Sequence, residues 1–362
     1  MRAWLLVMLF WGALPSGARA GEVPPKRVAV LDFASAKEDL RWLGVGFAET
    51  LSHRLATLPQ LLVTERRRIR ELLRSRPLTN LEEAFLAAQD VAHLLHTKYV
   101  IIGEVSRHRE GYCFTAQLVR PATGQKGEKH QHRGVLGDLF AIQADLGLQL
   151  VQDLGLRLGD QERKRFRAFL PTENPLAFEF YSQGLLVYDP ENPQEALGIW
   201  EQALAYDPNF ALLHEMLGLA AYRYQQILYE RALEEYRRAL ALNPESAFAH
   251  YLLGVAYADR RQYDDALREL LQAVQLNPNY VDAYYRLGGV YLTGKHRYRD
   301  AIAAYQSVLR LDPEHLGALN NLGVAYYFRG YRDLAVQQWE RVLQLDPDNE
   351  LARGNLKRFG RR

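Results

Sequence analysis

Between residues 177 and 349 the apolar and polar positions repeat one pattern five times. The unit is clearest from Ala247 to Tyr280, AFAHYLLGVAYADRRQYDDALRELLQAVQLNPNY. Its apolar residues recur at helical spacing in two short stretches, which predicts two amphipathic helices joined by a tight turn. Each unit closes on a proline, which lacks an N–H and pushes the preceding residue out of helical geometry. Those prolines are Pro208, Pro244, Pro278, Pro313 and Pro347, at steps of 36, 34, 35 and 34 residues. Small residues keep phase with them: Gly184, Gly218, Gly254, Gly288 and Gly323 in the first helices, and Ala196, Ala232, Ala266, Ala301 and Ala335 in the second. A bulky residue follows each alanine by four, namely Trp200, Tyr236, Leu270, Tyr305 and Trp339. A helix pair of this length cannot bury its own apolar face, so the units must stack into an α-solenoid. The predicted repeats are 177–210, 211–246, 247–280, 281–315 and 316–349, followed by a capping helix over 350–362. Repeat two carries extra residues near Tyr224–Tyr229 and repeat four one near His296, both expected to lengthen inter-helix turns.

Residues 26–158 follow a different pattern. Arg27–Phe33 is a short β-branched run that predicts a buried strand. Leu43, Phe47, Leu51 and Leu55 then share one face of a helix over 39–58. A strand at 61–64, helices at 69–74 and 81–95, strands at 99–105, 111–119 and 126–136, and a helix at 138–156 complete the order β-α-β-α-α-β-β-β-α, a mixed-sheet α/β domain. The stretch 159–176, GDQERKRFRAFLPTENPL, is charged and then apolar, with Pro171 and Pro175 as breakers. It predicts a short, stiff linker, with Phe166, Phe169 and Leu170 docking a short helix on the first repeat.

The first twenty residues, MRAWLLVMLFWGALPSGARA, read as a signal peptide: Arg2, then an apolar core from Ala3 to Trp11, then Ala18 and Ala20 at a small-residue cleavage site. This predicts export to the periplasm with cleavage near Ala20, and no stable membrane span afterwards. Without Arg2 and Arg19 the basic and acidic counts are equal at 43, which argues against a nucleic-acid partner. The single cysteine, Cys113, rules out an internal disulfide.

Candidate chemistry is sparse. His130 and His132 share one face of a strand, but a metal site needs further ligands that the local sequence does not supply. His93 and His96 fall on one helix face. Arg66–Arg70 (RRRIR) with Arg74 and Arg76 reads as a solvated basic helix face. Gly44-Val45-Gly46 lacks the rest of a dinucleotide fingerprint and sits within a helical pattern. Cys113 has no motif partner for nucleophilic work and reads as a buried small hydrophobe. No nucleophile–base–orienter set is visible. The expectation is a non-enzyme with no cofactor, no catalytic residue and no metal.

The glycine, alanine and proline phases resemble the tetratricopeptide repeat family, over about half of the chain. The resemblance implies a right-handed superhelix with a concave groove for partner segments. VAVLDF, SHRLATL, LLVTERR, YVIIGE, FTAQLV, PATGQ and DLFAIQADL resemble the TolB-type amino-terminal domain, which is related to curli-secretion and flagellar outer-membrane accessory domains. The chain departs from it in Asp32, where a proline is usual, and in the polar KGEKHQHR strand. That resemblance implies a bacterial envelope protein and carries no catalytic residues.

In the repeat family the inner face of each first helix lines the groove. Counting from the repeat starts places Tyr181, Tyr188, Leu219, Tyr222, Tyr251, Val255, Tyr285, Asn320 and Tyr327 there, with Arg223 and Arg286 beside them. Tyrosine offers large contact area at low side-chain entropy, and Arg286 is suited to hold a carboxylate. The expected protein is therefore a non-enzymatic exported scaffold. Its groove would hold a mildly acidic protein segment, and its α/β domain would dock on an envelope complex. An accessory or assembly factor of a secretion or outer-membrane complex is the alternative; a metal-dependent enzyme has least support.

Overall fold

The computed structural model describes residues 24–73, 76–223 and 229–360. The signal-like segment 1–20 and Arg74 lie outside them, as does the side chain of Arg223. The first unit is a five-stranded sheet with strands β1 (Lys26–Val30), β2 (Leu61–Val63), β3 (Tyr99–His108), β4 (Gly111–Arg120) and β5 (Gln125–Gly134), in the order β2-β1-β3-β4-β5. β1 runs parallel to both neighbours and the β3–β4–β5 meander is antiparallel. Its helices are α1 (Arg41–Ala56), α2 (Arg66–Leu73), α3 (Leu81–Leu94) and α4 (Leu139–Asp153). Strand alternation separates the two faces. Val28 and Val30 join the core that holds α1 and α4, while Ala29 and Leu31 join the core under α2 and α3.

The element order is the one read from the sequence, with boundaries moved by up to three residues. β1 stops at Val30, and α2 begins at Arg66 rather than Ile69. A short helix, α5 (Asp160–Ala168), follows. Its Phe166 packs against Gly147 of α4 in the core that also holds Phe178 of the first repeat, and Phe169 packs on that core, while Leu170 stays exposed. The cause is Arg54 on α1, fully buried, which donates to the carbonyls of Phe166, Phe140 (3.1 Å) and Phe169 (2.8 Å) and to Gln143 Oε1 (3.2 Å). The rings of Phe166 and Phe169 stack on its guanidinium. The chain leaving the α/β unit is thus tied back to α1 by hydrogen bonds that only arginine's fork of donors can supply together.

The solenoid pairs α6 (Pro175–Val187) with α7 (Gln194–Tyr206), α8 (Ala211–Arg223) with α9 (Tyr229–Leu242), α10 (Ala247–Asp259) with α11 (Tyr263–Leu276), α12 (Val281–Gly289) with α13 (Tyr298–Leu311) and α14 (Leu316–Phe328) with α15 (Arg332–Leu345); α16 (Glu350–Phe359) closes it. The conserved phase within the chain has a direct packing cause. A Cβ on Gly184, Gly218, Gly254, Gly288 or Gly323 would lie 2.2 to 2.8 Å from Trp200, Tyr236, Leu270, Tyr305 or Trp339 in turn. Each first-helix glycine is the socket for the bulky residue four after the second-helix alanine. The extra residue of repeat four is absorbed by a π turn at Val290–Gly294 and a left-handed His296 (φ 53°).

One apolar core runs without a break from Val28 and Phe47 through Leu146, Phe166 and Phe178 to Trp200 and Leu217. The first repeat is therefore packed into the α/β unit along α1 and α6. A Cβ on Gly46 would lie 1.9 Å from Ser182 Oγ, so the two helices meet backbone to side chain. Trp42 and Phe140 abut Phe178 edge-on, at ring separations of 6.5 and 5.3 Å.

Candidate functional site

Beyond the α1–α6 contact the two units diverge and enclose a cleft of about 970 Å³. That is a volume ordinary for a ligand or peptide site. One wall is apolar and comes from the first helices of repeats two and three: Leu212, Met216, Leu219, Leu252 and Val255. The facing wall is polar and comes from α1, α2 and the end of β1: Asp32, Glu49, His53, Arg66 and Arg70.

The polar wall is a charge network. Arg66, 5% exposed, bonds Asp32 and the carbonyl of Val30 and stands 3.5 Å from Glu49. Arg70 is 3.2 Å from the same Glu49 oxygen, and His53 is 3.6 Å from the other. Burial would raise the Glu49 carboxyl, but the Arg70 charge, the His53 hydrogen bond and Arg66 outweigh it and hold it far below the usual carboxylate range. Burial lowers His53, but Glu49 and Glu215 reverse this and raise it. Glu215, on α8, is raised by burial and accepts from Ser246 Oγ.

The far side of the cleft closes on the turns that join successive repeats. Asn279 Nδ2 donates to the carbonyls of Pro59 (2.7 Å) and Leu61 (3.3 Å), covering the free edge of β2. Arg68 faces Asp282 at 3.7 Å, and His96 faces Glu314 at 3.7 Å. Arg27 donates to the Leu311 carbonyl (2.8 Å) and pairs with Asp312 at 3.5 Å. Glu65 meets Asp282 at the same place; burial, then the Asp282 charge and the hydrogen bond that a protonated Glu65 donates to that carboxylate, raise its pKa well above the ordinary value.

The residues expected to line the groove take different places. Tyr188, Tyr222, Tyr251 and Arg286 line the cleft. The Tyr222 hydroxyl donates to Asp259, Tyr188 stacks on Trp200 at 5.3 Å, and Tyr251 on Tyr280 at 5.0 Å. Arg286 also faces Asp259, at 3.8 Å, so it already has a carboxylate of its own chain. Tyr181 is wholly buried in the shared core against Phe210. Tyr285 packs between Tyr305 and His315 and accepts from Asn321 Nδ2 at 3.1 Å. Asn320 and Tyr327 do not face open groove: α16 covers them, through Asn349 (3.3 Å) and a stack on Phe359 (4.5 Å). Proximity to the capping helix, invisible to a count from repeat starts, decides this.

The RRRIR stretch corrects the reading of a solvated face. Arg66 and Arg70 turn into the cleft, while Arg67 and Arg68 remain part-exposed. A signal was present: Arg66, Ile69, Arg70 and Leu73 stand at i, i+3, i+4 and i+7, the spacing of a buried stripe. Glu65 had no such signal, and Glu49 and His53 offered only their own i, i+4 spacing, because Arg66, Arg70, Glu215 and Asp282 are far from them in sequence. His130 is bonded to Asp153 (2.7 Å) and His132 to Gln149 (3.1 Å), both on α4. Among the described residues no group of three or more His, Cys, Asp or Glu is placed to hold a metal. His93 and His96 do not share a helix face, since α3 ends at Leu94 and His96 is left-handed (φ 48°). Cys113 is buried in β4. Gly44 and Gly46 serve close packing within α1, on Phe33 and Ser182.

Family models described as TPR repeat match residues 223–260 and 256–294, and those described as tetratricopeptide repeat match 181–226 and 294–350. Residues 181–350 are tetratricopeptide repeats. Among solved structures, this chain is similar to YrrB, a TPR protein with an unusual peptide-binding site, at 26% identity over 50% of this chain and 92% of that one (TM-score 0.43). It is also similar to MamA of Desulfovibrio magneticus RS-1, at 25% identity over 48% of this chain and 96% of that one (TM-score 0.43). A curated relative named "Putative adenylate cyclase 3", of Rhizobium meliloti (strain 1021), is 27% identical over 133 residues. Those residues are 36% of this chain and only 23% of that relative's length. Among the described residues no helix is long and apolar enough to cross a membrane.

Proposed function

We propose that the protein is an exported, non-enzymatic scaffold that grips a segment of a second protein between its α/β unit and its TPR solenoid. The observation that carries this reading is the cleft of about 970 Å³, with an apolar wall from repeats two and three and a charged wall from α1 and α2. Tyr222 and Tyr251 stand in it with rings and hydroxyls suited to a peptide. The signal-like residues 1–20 support export to the periplasm. The resemblance of residues 26–158 to TolB-type domains supports an envelope setting, with that domain as the side that meets an envelope complex.

The test is site-specific photocrosslinking in the full chain expressed in a bacterial host. A crosslinker at position 222 or 251 is expected to give one defined adduct, and one at the exposed position 234 on α9 is expected to give none. Equal adducts at all three positions, or an adduct at 234 alone, would place the partner elsewhere. Amino-terminal sequencing of the purified protein addresses export separately: a chain beginning near Gly21 is expected, and one beginning at Met1 would overturn cleavage.

A further inference from the structure

The rim of the solenoid, made by the turns between repeats, matches its charges within the chain, Asp282 with Arg68 and Asp312 with Arg27. The polar wall of the cleft does not match its hydrogen bonds. That wall stands where the sheet reverses its winding. Helix α1 carries the chain from β1 to β2 over one face, and α2 and α3 carry it to β3, on the other side of β1, over the opposite face. Open α/β sheets take ligands at the carboxyl ends of their strands where the winding reverses. Asp32 lies two residues past β1 and Arg66 opens α2, and both line the cleft. Glu49 also lines it and is 5% exposed. Its Oε2 stands 3.2 Å from Arg70 and 3.5 Å from Arg66, yet has no hydrogen-bond partner among the described residues. The same holds for Arg66 Nε and Arg70 Nη1. The Tyr181 hydroxyl, wholly buried and facing the charges of Glu49, Arg70 and Arg66, is unpartnered too. Buried polar atoms are seldom left in this state.

We propose that this polar wall is a subsite for a side-chain carboxamide, so that the segment gripped in the cleft presents asparagine or glutamine there and aliphatic residues to the repeats. The inference rests on the scaffold reading above and names the chemistry of the partner. Charge complementarity decides the class. Arg66 and Arg70 lie against Asp32 and Glu49, so the wall holds fixed charges of both signs side by side. A ligand carboxylate would meet Glu49, which its neighbours keep ionised. A ligand ammonium would meet the two guanidiniums. A carboxamide is neutral and has both roles: its oxygen accepts from Arg70 Nη1 and its N–H donates to Glu49 Oε2. A site of this kind rejects other ligands because they leave its buried polar groups unpaired. The facing wall of Leu212, Met216, Leu219 and Leu252 offers aliphatic contact to the rest of the segment. A neutral residue at this point replaces the acidic one expected from Arg286, whose guanidinium is already matched by Asp259.

The experiment titrates the full chain with small probes that share one aliphatic tail, read by ligand-observed NMR. They are isocaproamide, isocaproate, isohexylamine and N-methylisocaproamide, the last standing for a main-chain amide. Isocaproamide is expected to bind about tenfold more tightly than the carboxylate or the amine. Glu49→Gln leaves the guanidiniums under-neutralised and should turn the preference to isocaproate. Arg70→Met leaves Glu49 under-neutralised and should turn it to isohexylamine. Opposite switches from two neighbouring residues are not an effect of loosened packing. Each variant is checked for unchanged helical circular dichroism, and the order of affinities in the wild type tests the proposal if neither folds. The proposal is overturned if the wild type binds none of the probes, binds them alike or prefers an ion, or if both folded variants keep the wild-type order. Tighter binding of the N-methyl amide would assign the wall to main-chain groups and overturn the side-chain assignment. Crosslinks at 222 and 251 beside a failed carboxamide preference would leave the scaffold reading standing. A carboxamide preference without those crosslinks would sink the scaffold reading and leave a site for a free carboxamide.

Discussion

The α/β unit touches the solenoid in two places built on opposite principles. At α1–α6 the contact is apolar and close: Gly46 against Ser182, and Trp42 and Phe140 against Phe178, with Arg54 tying the linker into the same core. At the rim the contact is polar and part-exposed: Arg68 with Asp282, Arg27 with Asp312, and Asn279 on the edge of β2. Burial of apolar surface is indifferent to salt and titration near neutral pH, whereas ion pairs near water respond to both. The first contact therefore sets a fixed joint and the second an adjustable one, and the cleft lies between them.

The strongest way to break this contrast is at Arg54. Arg54→Leu keeps the apolar volume but leaves the carbonyls of Phe166, Phe140 and Phe169 and the Gln143 amide oxygen without their donors. A loss of about 3–5 kcal/mol in unfolding free energy is expected, the range for stripping a buried charged partner from its acceptors. Denaturant melting reads it; a loss under about 1 kcal/mol would show that the linker is held by its phenylalanines alone.

Gly46→Val comes next. Its Cβ would enter Ser182 Oγ at 1.9 Å, and overpacking of this kind costs about 1–3 kcal/mol. The variant should lower the unfolding midpoint and separate the α/β transition from that of the solenoid. A single unchanged transition would mean that α6 can shift without cost.

Removing rim charges should do much less to stability. Arg27→Ala and Arg68→Ala are each expected to cost about 0.2–1 kcal/mol, the usual worth of a part-exposed ion pair. Hydrogen exchange at residues 59–70 should nevertheless accelerate, and added salt should accelerate it in the wild type and not in the double variant. Salt dependence that survives the double substitution would assign it to other pairs.

The smallest effect expected is on pH. Glu65 is raised by burial and by Asp282, with Arg67 and Arg68 opposing, and Tyr251 and Tyr280 also face it. A raised folded pKa means stability that is full below about 4.5 and lost as pH rises through the folded value. His53, also raised, acts in the same direction from 6.5 upward. Glu49 is lowered, so its contribution is lost only as pH falls below 4.5, and it is constant from there to neutrality. The contact at residues 59–70 should therefore loosen as pH rises above about 4.5, read as faster exchange there after correction for the intrinsic rate. Glu65→Gln should flatten most of that change; an unaltered profile would assign it to His53 and Glu215, which are also raised.

The repeats were legible in the sequence because their determinants are local and periodic. A glycine socket, an alanine and a bulky residue at fixed offsets bring their packing partners within one helix pair, as Gly184 with Trp200 and Gly323 with Trp339 show. The strand and helix order of 26–158 was legible for the same reason, since alternation and helical spacing act over a few residues. The candidate site was not. Tyr181 counts as a groove residue by its repeat position, but it is buried in the core shared by the two units, against Phe210. Asn320 and Tyr327 count likewise, but α16 closes over them. Glu49 with Arg70, Arg68 with Asp282 and Arg27 with Asp312 join positions 21, 214 and 285 residues apart. Nothing local fixes which distant charge a side chain will meet, because the pairing is selected by how two packed units lie against each other. The sequence by itself determined each unit's elements and the stacking of the repeats. Only the tertiary structure decided that the α/β unit sits on the rim of the solenoid and that a cleft opens between them.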